Sequence, residues 1–114
     1  MTENTSTPQE KFWAGDFGKD YISRNRDPEL LASNLNLFSE IFSLTDSVPN
    51  SILELGANIG MNLKAIKQLS PTSECTAIEI NPTACEILKG QGFEVIESSI
   101  LSAKLEKHFD FVFS

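Results

Sequence analysis

The sequence has too few basic residues, histidines and cysteines for several common functions. Nine Lys and Arg stand against sixteen Asp and Glu, which gives a net charge of −7 at pH 7. That balance argues against binding to DNA, RNA or an anionic membrane surface, because each of these requires clustered Lys and Arg. The single histidine, His108, and the two cysteines, Cys75 and Cys85, lack the spacing of a metal site. We therefore expect no bound metal, a buried free thiol at Cys85, and a reducing, cytoplasmic location.

Long apolar runs are also missing. None approaches the roughly 20 apolar residues that are needed to span a bilayer, so we expect no membrane partner. The first ten residues are polar and include Pro8, and we expect residues 1–10 to form a disordered tail. A chain of 114 residues suits one domain and is too short for two.

Short apolar strands alternate with helices over most of the chain. Asp27 and Pro28 have the residue types of a helix N-cap and first helical position, and an apolar stripe follows them. The patterns predict four strands, at 51–55, 76–80, 93–97 and 109–113, helices at 28–44, 59–69 and 82–90, and a single helical turn at 101–107. This alternation is typical of an α/β fold with a doubly wound parallel sheet and right-handed crossovers.

A glycine-containing turn follows the first strand. Gly56 allows a tight turn against a ligand, and Gly60 allows the next helix to pack closely. Asn58 stands where a third glycine is commonest, and Asn tolerates a positive φ better than most residues. Glu54, two residues before Gly56, ends the strand and is placed to meet a ligand ammonium. The alternative for Glu54 is pairing with loop amides or a helix N-terminus.

A second acid, Glu79, ends the second strand 19 residues after Gly60. At that position a carboxylate can accept both hydroxyl protons of a ribose, although a solvated strand-end acid has the same sequence. Together with the turn, the two acids indicate a nucleoside site. An acid at Glu54 would repel the pyrophosphate of a dinucleotide, whereas S-adenosylmethionine carries an ammonium and a sulfonium. The electrostatics favour S-adenosylmethionine over NAD, which remains the alternative.

Two segments resemble motifs of class I S-adenosylmethionine-dependent methyltransferases. They are ILELGANIGMNLKAI (52–66) and AIEINPTACEIL (77–88). Two N-terminal segments resemble, more specifically, the methyltransferases associated with pseudaminic acid biosynthesis. These are FWAGDFGKDYISRN (12–25) and LLASNLNLF (30–38). The resemblance implies a Rossmann-like sheet of order 3-2-1-4 and a cofactor-binding half at 51–114.

The resemblance also implies roles for individual residues. Glu54, Gly56 and Gly60 would hold the methionyl part of the cofactor, and Glu79 the ribose hydroxyls. Asn58 belongs to the same cofactor-binding turn and departs from the glycine of the family pattern. Ile80 would pack against adenine. Ser99 stands where the family has an Asp near the adenine amino group, and Ile100 would offer its backbone N–H. These statements are expectations from the matched motif positions.

The aromatic stretch near the N-terminus has two interpretations. Within a helical segment at 11–50, Trp13, Phe17 and Tyr21 can form a lid over cofactor and substrate, with Arg24 pairing to a carboxylate. The same aromatic residues can instead anchor the N-terminus to the sheet by packing alone.

The function implied is methyl transfer to a small molecule, most simply a sugar or sugar-nucleotide. No general base can be named, and orientation of the reactants is expected to supply much of the catalysis. An NAD(P)-binding oxidoreductase is the alternative enzyme. A nucleoside-binding or assembly module without turnover is the non-enzymatic alternative.

We expect these 114 residues to represent a truncated methyltransferase that self-associates. The strand at 109–113 is strongly apolar, and at a sheet edge it would leave N–H and C=O groups unpaired. A homodimer through edge strands or exposed faces would cover them. Light scattering at micromolar concentration should detect the dimer. A stable monomer with measurable turnover would contradict both expectations.

Overall fold

Four parallel strands and the helices between them form the fold. The computed structural model describes residues 7–15 and 28–114, without the side chains of Phe12 and Trp13. Its elements are α1 (Pro8–Ala14), α2 (Pro28–Ser43), β1 (Ser51–Leu55), α3 (Met61–Leu69), β2 (Glu74–Glu79), α4 (Pro82–Gly90), β3 (Glu94–Glu97) and β4 (Phe111–Phe113). In this part of the chain no helix is both long and apolar enough to cross a membrane.

The strands lie in the order β3-β2-β1-β4, and all neighbouring pairs are parallel. This confirms the predicted α/β architecture and strand order. The chain first moves outward from β1 through β2 to β3 and then returns to the opposite side of β1. The direction of travel therefore reverses between β1 and β4, and ligands of open α/β sheets bind beyond the carboxyl ends at such a reversal.

One core fills the space between α2, α3 and the sheet. Phe38 and Phe42 of α2 contact Phe113 and Phe111 of β4, with ring centroids 5.3 and 5.8 Å apart. Ile52 of β1 is buried in the same cluster. The apolar stripe predicted for α2 is confirmed, because its buried or half-buried members all pack here: Leu31, Leu35, Phe38 and Phe42. Aromatic pairs of this kind hold the edge strand against the helix layer.

Helix caps account for two boundaries, one of which differs from the prediction. Thr7 Oγ1 accepts a hydrogen bond from Glu10 N, and Glu10 Oε1 accepts one from Thr7 N. This reciprocal capping box starts α1, so residues 8–10 are helical although we expected them in the polar tail. Asn81 is the N-cap of α4, since its Oδ1 accepts from Ala84 N at 3.0 Å. The predicted cap Asp27 lies outside the described residues.

Two further predictions of local structure were wrong. Helix α3 begins at Met61 and not at Ile59, because Gly60 precedes it in the left-handed conformation at φ 79°. Ile59 instead packs against Ala84 from the turn. The stretch expected to form a helical turn at 101–107 contains turns and irregular backbone without a helix.

The connection from β3 to β4 ends near the face of the sheet that points away from the main core. Val95 packs into the core, so its neighbour Glu94 points to the other face. Lys107, near the end of the connection, lies 3.4 Å from the Glu94 carboxylate. A right-handed crossover requires the connection to run on that face. Strand β4 ends at the sheet edge with Val112 half exposed, and the predicted self-association stays a prediction.

Gly60 should be the glycine that is least tolerant of a side chain. A Cβ at this residue would lie 2.6 Å from Leu88 Cδ2 and 3.1 Å from Phe93 Cε2, at a φ that side chains disfavour. Gly60→Ala should therefore lower the free energy of unfolding by about 2–4 kcal/mol, measured by urea denaturation. Gly90→Ala is the matched control, because a Cβ at Gly90 meets nothing within 4 Å. Equal stability of the two variants would contradict the close packing of α3 against α4.

Candidate cofactor site

A cavity of about 660 Å³ opens beyond the carboxyl ends of β1, β2 and β3, a size typical of small-molecule sites. The turn after β1, the end of β2 and the segment after β3 form most of its wall, and α1 and α2 add residues. Most of the predicted cofactor residues line it, namely Glu54, Gly56, Asn58, Glu79, Ile80, Ser99 and Ile100. Gly60 lies outside the lining and acts in packing. The structure thus brings residues from three strand ends to one cavity.

The turn after β1 uses left-handed backbone at alternate residues. Gly56, Asn58 and Gly60 have φ values of 71°, 54° and 79°, so the prediction of a positive φ at Asn58 is confirmed. Three backbone N–H groups of the turn bind backbone carbonyl oxygens of β2 or of the turn itself. Gly56 and Ala57 donate to Ile78 O, and Gly60 donates to Ala57 O.

The two remaining amides of the turn are bound by side chains. Asn58 N donates to Glu79 Oε1 at 2.7 Å, and Ile59 N donates to Asn58 Oδ1 at 2.9 Å. None of the five N–H groups of residues 56–60 is left for a phosphate. This turn therefore differs chemically from a phosphate-binding loop, whose N–H groups point at the anion.

Glu79 is a structural acceptor as well as part of the cavity wall. Its Oε1 accepts from Asn58 N, while its Oε2 accepts from Ile80 N at 2.9 Å and from Asn81 N at 2.8 Å. The side chain is only 7% exposed, so a solvated strand-end acid is the wrong description. A carboxylate can accept about four hydrogen bonds, and three are already made. Glu79 thus joins the glycine turn to the start of α4.

Glu54 has the opposite surroundings. It is 3% exposed, and its Oε2 accepts from Asn62 Nδ2 at 2.8 Å. Its Oε1 is buried and has no hydrogen-bond partner among the described residues. Burial raises the pKa of Glu54 to about 8, the Asn62 hydrogen bond opposes this, and the charge of Glu79 adds to it. A buried, unsatisfied carboxylate oxygen is costly unless a proton or a cation occupies it.

The segment after β3 continues the wall with its own hydrogen bonds. Ser98 N donates to Glu79 O, which ties the segment to the end of β2. Ser99 Oγ accepts from Leu101 N at 3.0 Å, and the Ser99 carbonyl accepts from two later amides. Ile100 is half exposed. The Ser99 hydroxyl thus orders a turn in the place where the motif positions implied an adenine contact.

Several cavity residues were not predicted from the sequence. They are Thr7, Gln9 and Glu10 of the α1 region, Leu30 and Asn34 of α2, and Met61 and Asn62 of α3. The Thr-x-x-Glu spacing of the α1 capping box was a readable signal for a helix. The other unpredicted residues reach the cavity through tertiary packing, and such packing leaves no local pattern in the sequence.

The predicted lid residues fall outside what is described. Phe17, Tyr21 and Arg24 lie in the undescribed segment 16–27, and the side chain of Trp13 is likewise undescribed. The backbone of α1 does reach the site, because Asn81 Nδ2 donates to Ala14 O at 3.4 Å. One helix from the expected lid region therefore contacts the start of α4.

Several solved structures that share this fold are methyltransferases. Plantazolicin methyltransferase BpumL, in complex with a monoazolic desmethylPZN analog and SAH (S-adenosylhomocysteine), matches with a TM-score of 0.69 and 24% identity. The sugar N-methyltransferase KedS8 from Streptoalloteichus matches over 98% of this chain and 44% of its own, with a TM-score of 0.66 and 15% identity. Coclaurine N-methyltransferase, bound to N-methylheliamine and SAH, matches with a TM-score of 0.60 and 17% identity, over 98% of this chain and 29% of its own.

These similarities establish the Rossmann-like fold of the methyltransferases. The BpumL match covers 91% of this chain and 44% of BpumL, so the chain spans less than half of that relative's length. No protein-family model matches the chain, and no curated protein sequence matches it.

Glu79→Ala should destabilise the fold as well as alter the cavity. The substitution removes the acceptor of three backbone N–H groups, one of them fully buried. We expect the free energy of unfolding to fall by about 2–4 kcal/mol, measured by urea denaturation. Glu86→Ala, at an exposed position of α4, is the control and should be nearly neutral. If both variants unfold at the same urea concentration, Glu79 does not hold the turn.

Proposed function

We propose that this chain forms the cofactor-binding half of an S-adenosylmethionine-dependent methyltransferase. The observation that carries the proposal is the buried Glu54 Oε1 atom, which has no hydrogen-bond partner within residues 7–15 and 28–114 although its residue lines the cavity. Such an atom suits a ligand cation. The adjacent turn, whose five N–H groups are all bound internally, is unsuited to a phosphate.

The residues present fit S-adenosylmethionine, which carries an α-ammonium next to a nucleoside. Glu54 would hold the ammonium, and the open space at Gly56 would admit the methionyl part, since a Cβ there meets nothing within 4 Å. Glu79 retains one acceptor position of about four for a ribose hydroxyl. Ile80 would pack beside adenine, Ile100 would offer its backbone N–H, and Ser99 would lie at the edge of the base. The methyltransferase fold of the matched structures supports this assignment.

When bound, the cofactor would supply a methyl group on a sulfonium, ready for transfer to an oxygen or nitrogen nucleophile. The chain's own contribution is to bind and orient. Glu79 keeps the turn rigid through Asn58 N, and the buried wall around Glu54 excludes water from the ammonium end. Fixing the reactants in this way lowers the barrier without a dedicated base.

The acceptor we propose is a small molecule, with a sugar as the first candidate. The resemblance of the N-terminal segments to pseudaminic acid-associated methyltransferases supports a sugar, as does the fold shared with KedS8, a sugar N-methyltransferase. Among the described residues the cavity wall contains three carboxylates, Glu10, Glu54 and Glu79, and no Lys, Arg or His. That charge disfavours a phosphate close to the reacting centre. A cytoplasmic site of action belongs to the same proposal, since both thiols are free.

The main alternative, an NAD(P)-binding oxidoreductase, would place a pyrophosphate beside the Glu79 carboxylate in a cavity whose described wall contains no Lys, Arg or His. Calorimetry with S-adenosylmethionine, S-adenosylhomocysteine and NAD separates the two. We expect binding of the first two and none of NAD. Binding of NAD alone would overturn the proposal. Cofactor binding without methyl transfer to any sugar or sugar-nucleotide would favour the non-catalytic module.

Gly56→Val should abolish S-adenosylhomocysteine binding, because the added side chain projects from a left-handed residue of the cavity wall. We expect affinity to fall at least about a hundredfold, as two or more contacts of about 1.5 kcal/mol are lost. Gly92→Val is a matched control. Gly92 has a similar φ of 88°, a Cβ there also meets nothing within 4 Å, and it lies outside the cavity. Calorimetry should find near-normal binding for that variant, and equal loss in both would refute the assignment.

A further inference from the structure

Asn62 is the one described side chain that hydrogen-bonds to Glu54. It lies in the first turn of α3, and its Nδ2 donates to Glu54 Oε2 at 2.8 Å. The bond occupies one carboxylate oxygen, and the other, Oε1, is buried and has no partner in the described part of the chain. Both residues line the cavity. The Glu54 carboxyl group is thus fixed on one side and unsatisfied on the other.

The charges around Glu54 determine what binds to Oε1 before a ligand arrives. From β2, Glu79 adds negative charge, and from the α1 region Glu10 lines the same cavity. From α3 the Asn62 amide is neutral. The described wall contains no Lys, Arg or His to neutralise a carboxylate. Burial in these surroundings raises the pKa of Glu54 to about 8, so near neutral pH the group holds a proton.

We propose that Asn62 is a positioning residue that reserves Glu54 Oε1 for a ligand ammonium, and that this ammonium displaces a proton from Glu54 on binding. The inference rests on the proposed function, which supplies a ligand with an α-ammonium. In this exchange neutral Glu54 and the ammonium form a carboxylate–ammonium pair, and one proton leaves to solvent. No bond other than O–H is broken.

Because of this proton exchange, the affinity for the ligand should rise as the pH rises toward 8. Below pH 8 each ligand must displace a proton, so binding weakens as the pH falls. With a pKa of about 8 in the free protein and an ionised Glu54 in the complex, about 0.9 proton is released per ligand at pH 7. The dissociation constant should fall about tenfold between pH 6 and pH 7 and level off above pH 8.

Calorimetric titration with S-adenosylhomocysteine in two buffers of different ionisation enthalpy measures the released proton. We expect close to one proton at pH 7 and a steep pH profile of affinity. Binding without proton release would overturn the inference while leaving the proposed function in place. Absence of binding at every pH would instead overturn the proposed function, so the two failures are distinguishable.

Three substitutions test whether Asn62 positions Glu54 for the ligand or only stabilises the fold. Glu54→Gln should abolish proton release and flatten the pH profile between pH 6 and pH 8. Asn62→Leu removes the hydrogen bond that opposes the rise in the Glu54 pKa, so the pH at which affinity levels off should move upward and binding at pH 7 should weaken severalfold. Asn36→Leu, on the exposed side of α2, makes the same chemical change elsewhere and should leave the profile unaltered. A pH profile for Asn62→Leu identical to that of the unmodified chain would refute the positioning role, even if the variant is less stable.

Discussion

The site depends on the hydrogen bonds that the Glu79 carboxylate accepts from the backbone. One oxygen binds the N–H of Asn58 in the glycine turn, and the other binds two N–H groups at the start of α4. Two loops that are distant in sequence thereby share one buried anion. Left-handed backbone at a non-glycine residue such as Asn58 is unfavourable by itself and persists when its surroundings fix it. The cavity wall between β1 and β2 follows from that single side chain.

Two glutamates in one cavity have contrasting chemistry because their hydrogen-bond partners differ. Glu79 is stabilised as an anion by three N–H donors, whereas Glu54 receives one donor and keeps one unsatisfied oxygen. Burial raises the pKa of Glu54, a single hydrogen bond from Asn62 only partly opposes this, and the oxygen left over suits a cation. Like-charge repulsion from Glu79 reinforces the difference. Both residues are glutamates, and the N–H groups that surround each one determine whether it supports the turn or faces a ligand.

The sequence predicts the sheet well and also predicts which strand ends meet at the cavity, because both depend on local patterns. Apolar runs define the strands, and the reversal of strand order places their carboxyl ends together. The details that failed depend on tertiary contacts. Ile59 fits the period of α3, yet Gly60 and its contact with Leu88 delay the helix. Glu79 has the sequence of a solvated acid, and only the approach of Asn58 from 21 residues away reveals its structural role.

The connection between β3 and β4 has two parts with different constraints. Its beginning, Ser98 to Leu101, forms cavity wall and is held to β2 through Ser98 N. Its end makes an exposed ion pair between Lys107 and Glu94, and Asp110 hydrogen-bonds to Asn50 N and Ser51 Oγ at the start of β1. The exposed pair contributes at most about 1 kcal/mol. Between these two parts, the side chains of residues 103–106 make no hydrogen bond or ion pair with a described residue. An insertion in that stretch would therefore lengthen the connection and leave the cavity wall unaltered.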